Sequence, residues 1–258
     1  MGRALVDHGV ARLRHESGAG AELPGRGVLT EILARRARRL IAIELDRVLA
    51  AQLRMKFSLH SNVEIIEGDF LGIELDTVFG PKPGSLRPGL HYSPEPACVV
   101  GNLPYYITSD ILLRLLEYHR YFSTIVVMAQ KEVADRLAAS PGSRDYGLLS
   151  TTAQLYGQVE KLFTLPPTAF APPPKVHSSV VRVTIEPRVD KLGIPEAEFI
   201  SFLKLSFGQK RKTLWNNLKT RYDESALRAA LAKSGAKPAI RAEALSLEKM
   251  AALFRALQ

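Results

Sequence analysis

From Val28 onward, helical stretches and short apolar runs take turns along the chain. An alternation of this kind buries its apolar faces as a mostly parallel sheet flanked by helices. The periodicity predicts a helix over Val28–Arg39, a strand over Leu40–Ile43 that ends at Glu44, and a helix over Asp46–Ser58. A strand at Val63–Ile66 follows, with a polar turn at Gly68 and Asp69. Gly80–Pro96, rich in proline and glycine, is expected to be loop. After it come a strand at Ala97–Val100 running into Gly101 and Asn102, a helix at Ile111–Tyr118, a strand at Thr124–Met128 and a helix at Lys131–Ala139. Val159–Phe163 and Ser178–Ile185 are expected to pair as an antiparallel edge. Beyond Pro187 only helical periodicity remains, so the reading is a doubly wound α/β domain over 1–187 and a small all-α domain over 188–258.

A chain of 258 residues has room for one large core and a small one. Hydrophobic residues at 46% and charged residues at 24% are ordinary globular proportions, and no stretch reaches bilayer-spanning length. The opening residues lack the apolar core of a signal peptide, and Cys98 is the only cysteine, so a reducing cytoplasmic setting is expected. The six histidines are scattered without metal-ligand spacing, and no metal is expected. Lys and Arg outnumber Asp and Glu by 35 to 26, a formal charge of +9 that points to a polyanionic partner. The excess is uneven. Between Asp190 and the end there are thirteen basic residues against seven acidic, and Lys210, Arg211, Lys212, Lys219 and Arg221 fall in a run without an acid. Interleaved with Trp215, Asn216 and Asn217, these five are expected to hold RNA phosphates, contacts that position without reading sequence.

The strongest chemical signal is Asn102-Leu103-Pro104-Tyr105, placed directly after a buried strand. Ligands of open α/β sheets bind outside the carboxyl ends of the strands. The loop suits an adenine amino group, a poor nucleophile because its lone pair is delocalised into the ring. Two acceptors aimed at its hydrogens, the Asn102 side-chain oxygen and the Leu103 carbonyl, would localise that pair. Pro104 fixes its own φ, and Tyr105 offers a ring face for a base.

Four blocks then agree in order and spacing with one family. Val100 through Ser109, Gln130 through Leu137, Pro167 through Val176 and Phe207 through Leu214 resemble the KsgA family of S-adenosylmethionine-dependent enzymes that dimethylate adenines in small-subunit ribosomal RNA. The resemblance runs from about Val28 to the C-terminus and more loosely over Ala4–Glu16. It implies a Rossmann-like class I methyltransferase sheet, S-adenosylmethionine as methyl donor, and a monomer acting on small-subunit rRNA within a pre-ribosomal particle. Carried over residue by residue, it places the donor against Leu5, Glu22, Gly25, Gly27, Glu44, Asp69 and Asn102. Carboxylates such as Glu44 and Asp69 accept hydrogen bonds from ribose hydroxyls and adenine amines. It also places Phe170 opposite Tyr105, stacked on a base extracted for reaction.

The chain departs from the family at one place. Where the family has an apolar strand running into Glu-x-Gly-Pro-Gly-x-Gly, this sequence has Ser17 to Ala21 and then Glu22-Leu23-Pro24-Gly25-Arg26-Gly27, one glycine short and with a truncated first strand. Two alternatives to the enzyme therefore stay open. One is a catalytically impaired, RNA-binding ribosome-assembly factor; the other is a large-subunit rRNA adenine methyltransferase of the antibiotic-resistance type.

Overall fold

The computed structural model describes residues 10–14, 19–22, 27–80, 96–237 and 239–258. The chain divides into two compact units. The first takes the residues up to Ala134 together with Glu160–Ile185; the second takes Asp135–Val159 together with Glu186–Gln258. This differs from a single cut at 187, because a segment from the middle of the chain joins the helical unit.

The first unit is built on an eight-stranded sheet. Its strands are β1 (Val10–Arg14), β2 (Ala19–Glu22), β3 (Leu40–Glu44), β4 (Val63–Glu67), β5 (Ala97–Asn102), β6 (Phe122–Gln130), β7 (Gly157–Leu165) and β8 (Ser178–Ile185). They lie in the order β4-β3-β1-β2-β5-β6-β8-β7. Five strands carry the parallel frame: β3 pairs parallel with β4 and with β2, β2 with β5, and β5 with β6. β3 forms because Leu40-Ile41-Ala42-Ile43 has no polar side chain to keep wet. All four are at most 1% exposed, as a strand covered on both faces requires.

The sheet's centre answers the question raised by the shortened first strand. β2 occupies it with four residues, Gly20 opposite Leu40, Glu22 opposite Ala42, and Ala19 opposite Ala97. Beside it lies a strand the sequence did not suggest. β1 runs antiparallel to β2, β3 and β5, with Val10 opposite Ile43 and Ala11 opposite Val100. At the other end, β8 is antiparallel to β6. Arg182 of β8 meets Glu160 of β7 and Thr164 meets Ser179, contacts whose order runs in opposite chain directions, as expected of an antiparallel edge.

Helices α1 (Val28–Ala34), α2 (Arg47–Lys56), α3 (Leu75–Phe79) and α4 (Thr108–Glu117) connect these strands. Asp46 starts α2 by accepting the Val48 and Leu49 N–H groups at 2.8 and 3.0 Å, which are otherwise orphaned at a helix start. α1 stops five residues before the expected Arg39. Its final turn is closed from outside, because the Asn62 side-chain amide donates to the carbonyls of Ala34 and Ala37, both at 2.8 Å. The expected loop over Gly80–Pro96 falls largely on 81–95, outside the described residues.

The helical unit contains α6 (Leu148–Tyr156), α7 (Val189–Leu192), α8 (Glu196–Ser206), α9 (Leu214–Leu218), α10 (Glu224–Lys233) and α11 (Leu247–Arg255). α5 (Lys131–Leu137) straddles the boundary between the units. Phe199, Phe202 and Phe254, all nearly inaccessible, form its core with ring centroids 5.3–5.9 Å apart. α6 is fastened to α8 by the Tyr156 hydroxyl, which donates to Glu196 at 2.8 Å.

Candidate active site

The register of the sheet assembles the site before any side chain is considered. Glu44 ends β3 opposite Glu67, with Asp69 two residues further along; Asn102 ends β5 opposite Met128; Gln130 ends β6 opposite Ser178. Because β3, β4, β5 and β6 are mutually aligned while β8 runs the other way, Glu44, Asp69, Asn102 and the start of β8 all lie on one edge. That edge is the carboxyl edge of the parallel strands, where open α/β sheets bind ligands.

Asn102 is half-buried in a loop with little freedom. The Leu103 N–H donates to the Met128 carbonyl at 2.9 Å, and Leu103 is 2% exposed. The Pro104 carbonyl accepts the Thr108 hydroxyl at 2.8 Å and the Ile107 N–H at 3.3 Å, which folds the chain straight into α4. The Tyr105 hydroxyl lies 2.6 Å from Ser178 Oγ, so the ring is tethered to the start of β8. The start of β8 thus reaches the Asn102 loop through this contact, and His177, just before β8, is tied separately just past the end of β6 by its carbonyl, which accepts the Lys131 N–H at 2.9 Å. Phe170 is 5% exposed, so in this arrangement its ring is covered rather than offered to a base.

Glu44 is fully buried, and its Oε1 accepts the Asp46 N–H at 2.9 Å. Asp69 is exposed, and its Oδ1 accepts the Leu71 N–H at 2.9 Å while its carbonyl accepts Gly72 and Ile73. A carboxylate at each of two neighbouring strand ends is an acceptor set suited to the hydroxyl and amino groups of a nucleoside. Gly27 is buried at the start of α1 with φ +74°, and a Cβ there would come within 2.7 Å of Leu53 Cδ2. Glycine is the residue that takes this conformation without strain. Glu22 ends β2 on the same edge; Leu5 and Gly25 lie outside the described residues.

Two residues on this edge escaped the sequence reading. Leu45, 53% exposed directly after Glu44, and Tyr106, 76% exposed directly after Tyr105, are large apolar groups facing water. Each sits one residue beyond a motif, where a sequence offers no sign of which way the side chain turns.

In the helical unit, Lys210, Arg211, Lys212, Lys219 and Arg221 are all exposed around α9. The Lys210 ammonium also donates to the Arg144 carbonyl at 2.7 Å. One expected companion is corrected: Asn217 is 7% exposed and its amide donates inward to the Ser206 and Gln209 carbonyls, so it pins the turn instead of facing a phosphate. Trp215 is half-buried with the Arg228 guanidinium 5.3 Å from its ring centroid. Among the described residues no cluster of histidine, cysteine, aspartate and glutamate could hold a metal ion, and no helix is long and apolar enough to cross a membrane.

Comparison with known proteins places this arrangement. The sequence profile described as ribosomal RNA adenine dimethylase matches residues 22–258. The chain is 57% identical over 235 residues to a ribosomal RNA small subunit methyltransferase A of Koribacter versatilis, covering 91% of this chain and 82% of that one. It is 52% identical to the protein of the same name from Acidobacterium capsulatum, covering 91% and 79%. Among solved structures, the 23S rRNA methyltransferase ErmE is similar with a TM-score of 0.60 and 29% identity, covering 92% of this chain and 88% of the other.

Proposed function

Since the chain belongs to the ribosomal RNA adenine dimethylase family, we propose that it transfers methyl groups from S-adenosylmethionine to the exocyclic N6 of two adjacent adenines near the 3′ end of small-subunit rRNA, in ribosome biogenesis. The observation that carries this reading is the rigid Asn102 loop on the same sheet edge as Glu44 and Asp69.

The donor, when bound, supplies an electrophilic methyl on a sulfonium, a good leaving group. The protein's own task is alignment and polarisation. Asn102 Oδ1 and the Leu103 carbonyl accept the hydrogens of the target amine and turn its lone pair toward the methyl. Leu103 holds that position because its N–H is committed to Met128. Tyr105, anchored through its hydroxyl, presents a ring to one face of the adenine, and Phe170 takes the other face once its loop uncovers it. Glu44 and Asp69 would hold the donor's hydroxyl and amino groups, with the exposed Leu45 beside them, and Gly27, where a Cβ would strike Leu53, would contribute its backbone. Leu5, Glu22 and Gly25 complete the donor's surroundings in this reading. Lys210, Arg211, Lys212, Lys219 and Arg221 take phosphates of the same RNA.

The large-subunit alternative is not favoured, because the small-subunit enzymes stand at 57% and 52% identity and ErmE at 29%. The impaired-factor alternative rested on a truncated first strand, and β2, beside β1, pairs parallel with both β3 and β5, which supports a donor-binding sheet. We place the reaction in the cytoplasm, on a pre-ribosomal particle and by a monomer. The test is incubation with labelled S-adenosylmethionine and unmethylated small subunits, followed by nucleoside analysis for dimethyladenosine. Folded protein that incorporates no label would overturn the catalytic reading, and calorimetric donor binding separates enzyme from assembly factor.

A further inference from the structure

Tyr106 is an aromatic side chain 76% open to water, on a loop whose neighbours are all fixed. Leu103 is tied to Met128, Tyr105 to Ser178, and both Ile107 and Thr108 to the Pro104 carbonyl. No hydrogen bond or ring contact engages Tyr106 among the described residues. A large ring held out into solvent gains nothing from folding. Its backbone is already held by those bonds, so a flat partner would have only the ring's own rotation left to order.

The position of the ring names the partner. Tyr106 follows Tyr105, the residue assigned to the target adenine, and both stand on the carboxyl edge of the sheet. Drawing one adenine out of an RNA strand unstacks the nucleotide next to it, which then loses a neighbour on one side. A second aromatic face immediately beside the first restores that stack. Base stacking on an aromatic ring tolerates any base, since every base has a π face.

We propose that Tyr106 is a positioning residue, a stacking platform for the nucleotide adjacent to the adenine under attack, which holds the pair of adenines in register for successive methylation. This inference rests on the rRNA adenine methylation reading of the Asn102 loop. Tyr106 touches neither the methyl nor the amine, so its effect falls on RNA engagement and not on chemistry.

The test compares wild type, Tyr106→Ala and Tyr106→Phe in two measurements. In steady-state kinetics on unmethylated small subunits, Tyr106→Ala raises KM for RNA by roughly ten-fold with kcat little changed, as loss of one base–aromatic stack predicts. Tyr106→Phe, which keeps the ring, behaves as wild type, and calorimetric donor affinity is the same in all three. In the second measurement, a short RNA carries 2-aminopurine beside the target adenine. Its fluorescence is quenched on binding wild type and Tyr106→Phe, and the quench is largely lost with Tyr106→Ala. This arm needs no turnover: a quench that depends on the ring in a protein that makes no dimethyladenosine would sink the catalytic reading and leave the stacking one standing. An alanine variant equal to wild type in both KM and quench overturns the inference, as does a fall in kcat at constant KM or the absence of any quench with wild type.

Discussion

At the scale of single residues, the proposed site rests on a loop held by its neighbours' backbone. Asn102 is half-buried at its start, with the Leu103 N–H committed to Met128 and the Pro104 carbonyl to Ile107 and Thr108. Asn102→Ala is expected to abolish methyl transfer while RNA affinity stays within a few-fold, measured by single-turnover labelling beside a filter-binding titration. Substantial residual turnover would remove the acceptor role. Gly27 is a different kind of constraint. Its φ of +74° imposes strain on any L side chain, whereas the Leu53 methyl that a Cβ would strike is a flexible end that can step aside. Gly27→Ala is therefore expected to cost about 1–2 kcal/mol in a urea melt, from the backbone and not from the clash. These positions were legible in the sequence for different reasons. Asn102, Glu44 and Asp69 announced themselves as polar letters at the ends of apolar runs. Tyr106 and Leu45 did not, because exposure is a property of neighbours that a single chain position does not record.

Among the elements, those bounded by a clear cap or turn were readable, and a helix buried around most of its surface was not. β3, α2 and β4 were expected within one or two residues of their observed limits, since an apolar run bounded by Glu44 and an Asp46 cap leaves little choice. α6 was missed. Its sequence, Leu-Leu-Ser-Thr-Thr-Ala-Gln-Leu-Tyr, is buried at seven of nine positions, including one serine and two threonines, so no polar face marks the helical repeat. Ser150 and Thr151 are accommodated because their hydroxyls donate to the carbonyls of Arg136 and Gly147, at 2.7 and 2.8 Å. Element ends offer two tests. Asp46→Ala removes the acceptor of two N–H groups at the start of α2 and should cost about 1 kcal/mol in denaturant unfolding. In the helical unit, the Arg188 guanidinium hydrogen-bonds Glu248 at the start of α11 and holds its carboxyl down from 4.5 to about 2. A carboxyl depressed in the folded state stabilises above its unfolded pKa and ceases to as protons return. The contribution should be complete above pH 4.5 and fade toward pH 2. Both partners are more than a third exposed, so the effect is small and weakens with salt. Arg188→Met should flatten the dependence of the melting temperature on pH in that window; an unchanged slope would show that the pair contributes nothing.

For the molecule as a whole, the sequence order and the spatial order part company. A reading along the chain places one boundary where β periodicity ends, and Glu186 does open the return to the second unit. What no linear reading marks is that Asp135–Val159 belongs there too, because its membership is decided by which apolar surfaces α6 finds, not by a change in composition. Charge, by contrast, is additive along a chain and survives folding. The formal +9 and the basic run around α9 are properties the sequence states outright, and the structure leaves all five of those side chains exposed. Their collective role has a distinctive signature. A phosphate neutralised by a lysine or arginine releases condensed counterions, so the logarithm of RNA affinity falls linearly with the logarithm of salt, by about 0.7–0.9 per contact. Replacing Lys210, Arg211, Lys212, Lys219 and Arg221 together with alanine should weaken RNA binding at low salt and reduce that slope by up to about 4. Lys210 already donates to a carbonyl, so it is expected to account for less than its share. The same variant should bind S-adenosylmethionine as tightly as wild type, since none of the five stands on the sheet edge that carries Glu44, Asp69 and Asn102. A salt slope that survives the fivefold substitution would locate the phosphate contacts elsewhere among the other basic residues, and a simultaneous loss of donor binding would mean that the substitutions had disturbed the fold instead of the interface.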